Sequence, residues 1–150
     1  MLTPTNFKEQ KDAFEKLLKH LKSWKKQVSL VIVDGMTMLY RLDFAAARGN
    51  GEDITAIQKV NAELTKQMSV LAEIARKQNI PVVVTNQVYN WEKENRMVGG
   101  DILKYWSKCL IEIVNDNGRR TAYLRKHRSL PEKKLGFQIV DEGVRKRGWI

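Results

Sequence analysis

The chain has 150 residues, with 27 Lys or Arg against 17 Asp or Glu, which gives a formal net charge of +10 and a pI near 9.8. Its 43% apolar residues, with only 3 Pro and 9 Gly, exclude a collagen-like or low-complexity chain and argue against global disorder. The scattered surplus of positive charge points to a polyanionic partner, nucleic acid before membrane, with a solvated basic surface as the alternative.

The cysteine content and the apolar runs predict where the protein resides. Cys109 is the one cysteine, so it can supply neither an internal disulfide nor a cysteine-based zinc site. Even the longest apolar runs are short segments such as residues 30–33, far below the length that spans a bilayer. The first six residues do not resemble a signal peptide. We therefore expect a cytoplasmic protein with no membrane partner.

The first elements along the chain are a helix and a buried strand. Asn6 followed by Glu9 has the spacing of a capping box, and apolar residues at three- and four-residue intervals predict an amphipathic helix over 6–27. The run 28–34 is apolar and rich in β-branched residues, which is typical of a strand covered on both faces. That strand ends on the carboxylate of Asp34.

A second helix and a second strand follow. The polar, glycine-punctuated stretch 42–51 predicts a loop, after which Asp53 can cap a long helix that runs to about Gln78. Residues 80–85 predict another buried strand, with Pro81 tolerated near its start. Helical crossovers of this length predict adjacent parallel strands.

The last third of the sequence predicts antiparallel strands. Two short runs, 109–115 and 121–125, flank an Asp-Asn-Gly sequence at 116–118, which is a strong hairpin signal. A further strand is predicted over 135–140, before a glycine turn and a basic tail. The sequence thus predicts one α/β domain with a mixed sheet, parallel in its first part and antiparallel in its last.

Ligands of open α/β sheets bind beyond the carboxyl ends of the strands, where Asp34 and the segment Thr85 to Gln87 are predicted to lie. A carboxylate at such an end can hold the Mg²⁺ of a nucleoside triphosphate, although many unrelated strands also end on Asp. The matching phosphate loop, G-x-x-x-x-G-K-[ST], cannot be drawn, because no glycine in the chain precedes a lysine. We do not expect these residues alone to hydrolyse a nucleotide.

Four segments carry a resemblance to a known family: LVIVDGMTMLYR (30–41), PVVVTNQVY (81–89), VGGDILKYWSK (98–108) and LRKHRSLPEKKLGFQIVDEG (124–143). Together they resemble the RadB branch of the archaeal RecA/RadA/Rad51 recombinase family, in the family's order and over nearly the whole chain. The resemblance implies a RecA-like P-loop NTPase core, with a mixed, mostly parallel sheet flanked by helices and a C-terminal antiparallel hairpin. The family's Walker A loop and catalytic glutamate would lie before Met1, so we expect a partial core.

The resemblance implies nucleotide-binding roles for several residues. Asp34 matches the Walker B carboxylate, a ligand of Mg²⁺, and Gln87 matches a glutamine that senses the nucleotide. The basic triplet Lys126, His127 and Arg128 matches a region near the ATP of an adjoining subunit, although a basic loop facing water explains it equally well. His127 as a catalytic base is disfavoured, because no Ser, Cys or second His is placed to complete a triad.

The resemblance also implies two DNA-binding loops, over 41–53 and 88–100. Both stretches are expected to be long, polar and poor in regular structure. A core role for the aromatic side chains is the alternative to base stacking. The residues offered to DNA are Arg41, Arg48, Tyr89, Trp91, Lys93 and Arg96, with Gly99 and Gly100 as the glycine pair that closes the second loop.

For the intact family member, the resemblance implies ATP and Mg²⁺ binding, weak ATP hydrolysis, DNA binding and assistance to homologous recombination, with a RadA-type recombinase or further copies of the chain as possible protein partners. For this chain we expect DNA binding without measurable ATPase activity. A non-enzymatic DNA-binding or mediator module is one alternative. A second is a small Mg²⁺-dependent nuclease that uses Asp116 with the run Glu132 to Lys134.

Overall fold

The computed structural model describes residues 1–23, 28–49, 54–91 and 94–147, which belong to two compact units, Met1–Trp106 and Ser107–Ile150. The predicted α/β class is confirmed. Among the described residues, no helix combines the length and the apolar character needed to cross a bilayer. The elements of the first unit are α1 (Phe7–Ser23), β1 (Val31–Val33), α2 (Met38–Gly49), α3 (Ile54–Gln78), β2 (Val82–Val84), β3 (Val88–Trp91), β4 (Glu94–Met97) and α4 (Gly100–Trp106).

Helix α1 begins as its sequence predicts. The side-chain oxygen of Asn6 accepts a hydrogen bond from the Glu9 backbone N–H at 2.9 Å, which satisfies one of the unpaired donors of the first turn. The Glu9 carboxylate turns back to the backbone N–H and the hydroxyl of Thr5, both at 2.8 Å. These hydrogen bonds, led by the backbone one, lower the pKa of Glu9. The structure describes α1 as far as Ser23, and the rest of the predicted helix, to residue 27, lies outside the described residues.

The core of the first unit surrounds α3. Leu64, Leu71 and Ile74 lie on one stripe of that helix and are at most 2% exposed. Burial of such a side chain stabilises the fold by about 1.5–3 kcal/mol relative to leaving it in water. The other buried members of this cluster come from α1, β1 and its following turn, α2, α3 and the segment from β4 to α4, and they are Phe7, Phe14, Val31, Met36, Tyr40, Met68, Val98 and Leu103.

The parallel strand pair is confirmed, but both strands are shorter than predicted. In β1 and β2, Val31 pairs with Val82 and Val33 pairs with Val84. The expectation that β1 is covered on both faces is wrong, because Ile32 is 63% exposed. The strands form a two-stranded sheet, and one face of it carries the exposed side chains of Ile32 and its partner Val83.

Both predicted loops contain regular structure, which corrects the expectation from the sequence. The first, over 41–53, begins within α2, because the sequence of this helix, MLYRLDFAAARG, is rich in Ala, Leu and Arg, which are strong helix formers. The second, over 88–100, contains the antiparallel hairpin of β3 and β4, in which Tyr89 pairs with Arg96.

The second unit is an antiparallel sheet in the order β5 (Leu110–Asp116), β6 (Arg119–Lys126), β7 (Lys133–Val140) and β8 (Gly143–Lys146). The predicted hairpin turn is confirmed: Asn117 and Gly118 have φ values of 47° and 83°, which these residue types tolerate best. Parallel and antiparallel parts are therefore both present, in separate sheets.

Candidate strand-end site

The carboxyl ends of β1 and β2 lie at one edge of their sheet, because the two strands are parallel. Three side chains that follow β1 bond to three that follow β2, in the same order along both segments. We call these six residues the strand-end ladder, and its three rungs are Asp34 with Thr85, Thr37 with Asn86, and Arg41 with Gln87.

The first rung holds the predicted Walker B carboxylate. The Thr85 hydroxyl donates to Oδ1 of Asp34 at 2.6 Å and accepts a hydrogen bond from the Gly35 backbone N–H at 2.8 Å. Gly35 has a φ of 77°, a conformation that favours glycine, and this turn brings its N–H to the hydroxyl. Backbone bonds from Thr85 N to Val33 O (2.9 Å) and from Met36 N to Thr85 O (3.0 Å) fix the same contact.

Asp34 is exposed, and a carboxylate oxygen is a ligand that Mg²⁺ accepts. Among the described residues, no group of three or more His, Cys, Asp or Glu side chains is placed to hold a metal ion. Magnesium in nucleotide sites usually takes one or two carboxylates and completes its shell with water and phosphate oxygens. This donor set fits a Mg²⁺ that arrives with a nucleotide.

The second rung is the least exposed of the three. The Thr37 hydroxyl donates to Oδ1 of Asn86, and Thr37 is only 2% exposed. The Asn86 amide in turn donates to the Val98 carbonyl at 2.8 Å, and the Val98 N–H donates to the Gln87 carbonyl at 3.1 Å. Because Val98 directly follows β4, this rung ties the strand ends to the β3–β4 hairpin.

The third rung joins two residues for which the sequence predicted different roles. Nη1 of Arg41, predicted to bind DNA, donates to Oε1 of Gln87, the predicted nucleotide sensor, at 2.9 Å. Thr37 directly precedes α2, and Arg41 lies in the first turn of that helix, where its backbone N–H donates to the Thr37 carbonyl at 3.0 Å. The four-residue spacing therefore places both side chains on the same side of the start of the helix. Asp34 and Gln87 thus lie at the same edge of the sheet, in the first and third rungs of the strand-end ladder.

The other residues predicted to bind DNA lie on two elements. Arg48 is exposed in the last turn of α2, Tyr89 is 47% exposed on β3, and Arg96 stands opposite Tyr89 on β4. Trp91 is the last residue of β3, and Lys93 lies outside the described residues.

The predicted glycine pair has two different environments. Gly99 has a φ of 70°, and a Cβ there would lie 2.8 Å from Leu103 Cδ1 and 3.0 Å from Leu64 Cδ2, so packing and conformation both require glycine. Gly100 begins α4, and a Cβ at that position would meet no described atom within 4 Å. The geometry therefore explains Gly99 by core packing.

In the second unit, His127 organises its own loop. Nδ1 of the imidazole accepts hydrogen bonds from the backbone N–H groups of Ser129 (3.2 Å) and Leu130 (3.1 Å), which places the ring proton on Nε2. The Ser129 hydroxyl is 3.5 Å from the same nitrogen, whose lone pair is already engaged, so the pair is not an activated nucleophile. Lys126 ends β6, and Arg128 is exposed in the loop.

The structure does not bring together the residues of the alternative nuclease site. Asp116 pairs with Arg119 at one end of β6, whereas Lys133 pairs with Leu124, five residues further along that strand. Five residues of strand correspond to about 16 Å, and β6 lies between the two strands concerned. A shared Mg²⁺ would need these carboxylates within a few ångströms of each other.

Thr37 is the site residue that sequence reasoning missed. It follows an apolar strand by four residues and carries no charge, so nothing in the pattern distinguishes it from an ordinary turn residue. If 38–49 is recognised as a helix, the four-residue spacing between Thr37 and Arg41 predicts that both side chains lie on one side of it.

The fold and the strand-end ladder define an α/β protein whose polar site lies beyond parallel strands. The chain belongs to the Rad51 family, whose model matches residues 6–147. It is 36% identical over 149 residues to a DNA repair and recombination protein RadB of Methanobrevibacter smithii, covering 94% of this chain and 59% of that protein. It is 34% identical over 116 residues to the protein of the same description from Methanocaldococcus jannaschii, covering 77% of this chain and 52% of the relative.

A third similar protein, the RadB of Methanothermobacter thermautotrophicus, is 34% identical over 149 residues, with 94% of this chain and 59% of the relative covered. The chain thus spans about three-fifths of the length of the curated relatives it matches over most of its own residues. The resemblance seen in the sequence is confirmed at the level of the family.

Proposed function

We propose that this protein is a DNA repair and recombination protein of RadB type, which binds DNA and assists homologous recombination in the cytoplasm. We further propose that its two units belong to one RecA-like core domain. The observation that supports this function best is the strand-end ladder, because it connects a carboxylate suited to Mg²⁺ with the hairpin predicted to meet DNA.

In the intact family member, ATP and Mg²⁺ would supply a charged ligand at the strand ends. Asp34 would hold the ion through one carboxylate oxygen, with Thr85 orienting that carboxylate by its hydroxyl. Gln87 lies at the same edge with a side-chain amide able to bond a phosphate oxygen or a bound water. Lys126 and Arg128 carry the charges for a phosphate at a subunit boundary, should copies of the chain assemble.

DNA binding by this chain is tested by fluorescence anisotropy with labelled single- and double-stranded DNA over a salt series from about 50 to 200 mM. We expect binding at low salt that weakens steeply as salt rises, because phosphate contacts release condensed counterions. Absence of binding at the lowest salt, or an affinity that does not change with salt, would contradict a phosphate-contact mechanism.

A second candidate is a non-enzymatic mediator that binds DNA and docks on a recombinase. This candidate would use the same basic side chains and would need no turnover of ATP. Phosphate release from ATP, measured with and without DNA, tests whether the chain turns over ATP. We expect only the background rate under both conditions. A rate that rises above background and disappears in Asp34→Asn would show an active ATPase instead.

A further inference from the structure

The bond between Arg41 and Gln87 brings a candidate DNA ligand and a candidate nucleotide sensor into one hydrogen bond. The guanidinium Nη1 donates to the amide Oε1 at 2.9 Å, and both residues are exposed to solvent. An exposed arginine is free to exchange acceptors, so the position of the Gln87 side chain depends on what else competes for Arg41.

The rest of the ladder keeps these two residues within reach of each other. Thr37, which is 2% exposed, and Asn86 form the second rung, one helical turn before Arg41 and one residue before Gln87. The Gln87 carbonyl is fixed separately by the N–H of Val98 at 3.1 Å. The backbone on both sides is therefore held, and the third rung can open by side-chain rotation alone.

A DNA phosphate is the stronger acceptor. Hydrogen bonds between a guanidinium and a charged oxygen are roughly twice as strong as those to a neutral amide, and a phosphate can engage two N–H groups of arginine at once. Where phosphate and the amide of Gln87 both reach Arg41, the phosphate displaces the amide.

We propose that Arg41 is a positioning residue that holds the Gln87 side chain in the DNA-free protein, and that a DNA phosphate releases Gln87 by taking Arg41 as its own ligand. The second half of this proposal rests on the proposed DNA-binding function, and the first half does not. The consequence is that occupancy of the DNA surface is reported to the strand-end edge, where Asp34 lies, by one side chain changing partner.

The first half is tested without DNA. The ¹³Cδ and side-chain amide NMR resonances of Gln87, assigned by their loss in Gln87→Ala, report on the hydrogen bond to Oε1. We expect them to shift in Arg41→Ala and to stay in place in Arg48→Ala, which removes the same charge from the same helix about two turns later. Unchanged Gln87 resonances in Arg41→Ala would overturn the positioning role.

The second half is tested by DNA anisotropy on a double-mutant cycle. Gln87→Met keeps the size of the side chain but cannot hold Arg41, so we expect DNA to bind about two- to fivefold more tightly, the range given by one modest hydrogen bond. Arg41→Ala should weaken binding and lower the salt slope by about one unit. In the Arg41→Ala background, Gln87→Met should have no further effect, because there is no longer a competition to relieve.

The outcomes separate this proposal from the proposed function. If the wild-type chain binds DNA and Gln87→Met leaves its affinity unchanged or weaker, the release mechanism is overturned while DNA binding stands. If the wild-type chain does not bind DNA at any salt, the proposed function and the release both fail, and the NMR comparison alone decides whether Arg41 positions Gln87. Gln138→Met, at an exposed glutamine of β7, is the matched control and should change neither measurement.

Discussion

The two units of the molecule differ in what holds them together. In the first, Met36, Leu64 and Ile74 are completely buried around α3. In the second, every described residue is at least 9% exposed. The second unit is a four-stranded sheet, and it leaves apolar side chains such as Ile111 (61%) and Ile139 (60%) largely in solvent. Stability should therefore depend on the core of the first unit far more than on the apolar residues of the second.

The second unit, which has the less buried interior, has the larger excess of positive charge for its length. Residues 107–150 carry 11 Lys or Arg against 5 Asp or Glu, whereas the first unit carries 16 against 12 over more than twice the length. Part of the charge in the second unit is neutralised locally: Arg125 bonds Glu112 at 2.7 Å and lies 4.5 Å from the centre of the Tyr123 ring. The hydrogen-bonded residues of the strand-end ladder thus lie in the unit with a buried core. The larger excess of basic residues for its length lies in the unit that has no described buried residue.

The largest difference between the units should come from truncating a buried side chain. Ile74→Ala, at a residue that is 0% exposed, should lower the free energy of unfolding by about 2–5 kcal/mol, because it leaves a cavity in the core as well as losing apolar burial. Ile139→Ala makes the same change at a residue of β7 that is 60% exposed, and should alter it by about 0.5 kcal/mol or less. Urea denaturation followed by circular dichroism measures both. Equal losses would mean that the second unit's sheet is as well packed as the core.

The next effect separates the two adjacent glycines. Gly99→Ala should cost about 2–4 kcal/mol of stability, because alanine is strained at a φ of 70° and its Cβ would overlap side-chain atoms of Leu103 and Leu64. Gly100→Ala is the matched control, since it adds the same methyl group where no described atom lies within 4 Å. Thermal unfolding of the two variants should differ clearly. A Gly99→Ala variant as stable as the wild type would leave the DNA-loop role as the better explanation of that glycine.

Elements that depend on local signals could be predicted from the sequence. The Asn6 cap, the apolar stripe of α3 and the Asn117-Gly118 turn each follow from residues within a few positions of one another. The helix α2 was missed because its polar and small residues show no strong helical periodicity, although their intrinsic propensity for helix is high.

The candidate site shows the same division. That Asp34 ends a strand is visible in the sequence, as is the polar segment after the next strand. The pairing of Thr37 with Asn86 joins residues 49 positions apart, and it depends on the register of β1 against β2 and on where α2 begins. Single-sequence patterns specify neither to within one residue, and a shift of one residue would break all three rungs.

Arginine substitutions in the two units should have smaller effects, on DNA binding. Comparing them shows which unit contacts the DNA phosphates. Arg96→Ala, on the hairpin of the first unit, should weaken DNA binding and lower the salt slope by about one unit, as loss of one phosphate contact requires. Arg145→Ala, at an arginine of the second unit that lies 3.3 Å from Glu142, should change the slope less. Arg76→Ala, in the last turn of α3, is the control for net charge. A larger loss of slope in Arg145→Ala than in Arg96→Ala would move the DNA surface to the second unit.

The smallest effect concerns the ring of Tyr40, in the core of the first unit. The phenol donates to Oδ1 of Asn61 at 2.7 Å, and burial raises the pKa of Tyr40 above its ordinary value of 10.0. The folded protein therefore keeps this proton in a pH range where the unfolded chain has lost it, so the free energy of unfolding falls as the pH rises past about 10. Tyr40→Phe removes the titrating hydroxyl and keeps the ring. Above about pH 10, the free energy of unfolding of the wild type should therefore fall relative to that of this variant. Urea denaturation of both proteins at several pH values measures the difference. A constant difference between the two proteins from neutral pH to above pH 10 would show that the phenol ionises as readily in the core as in water.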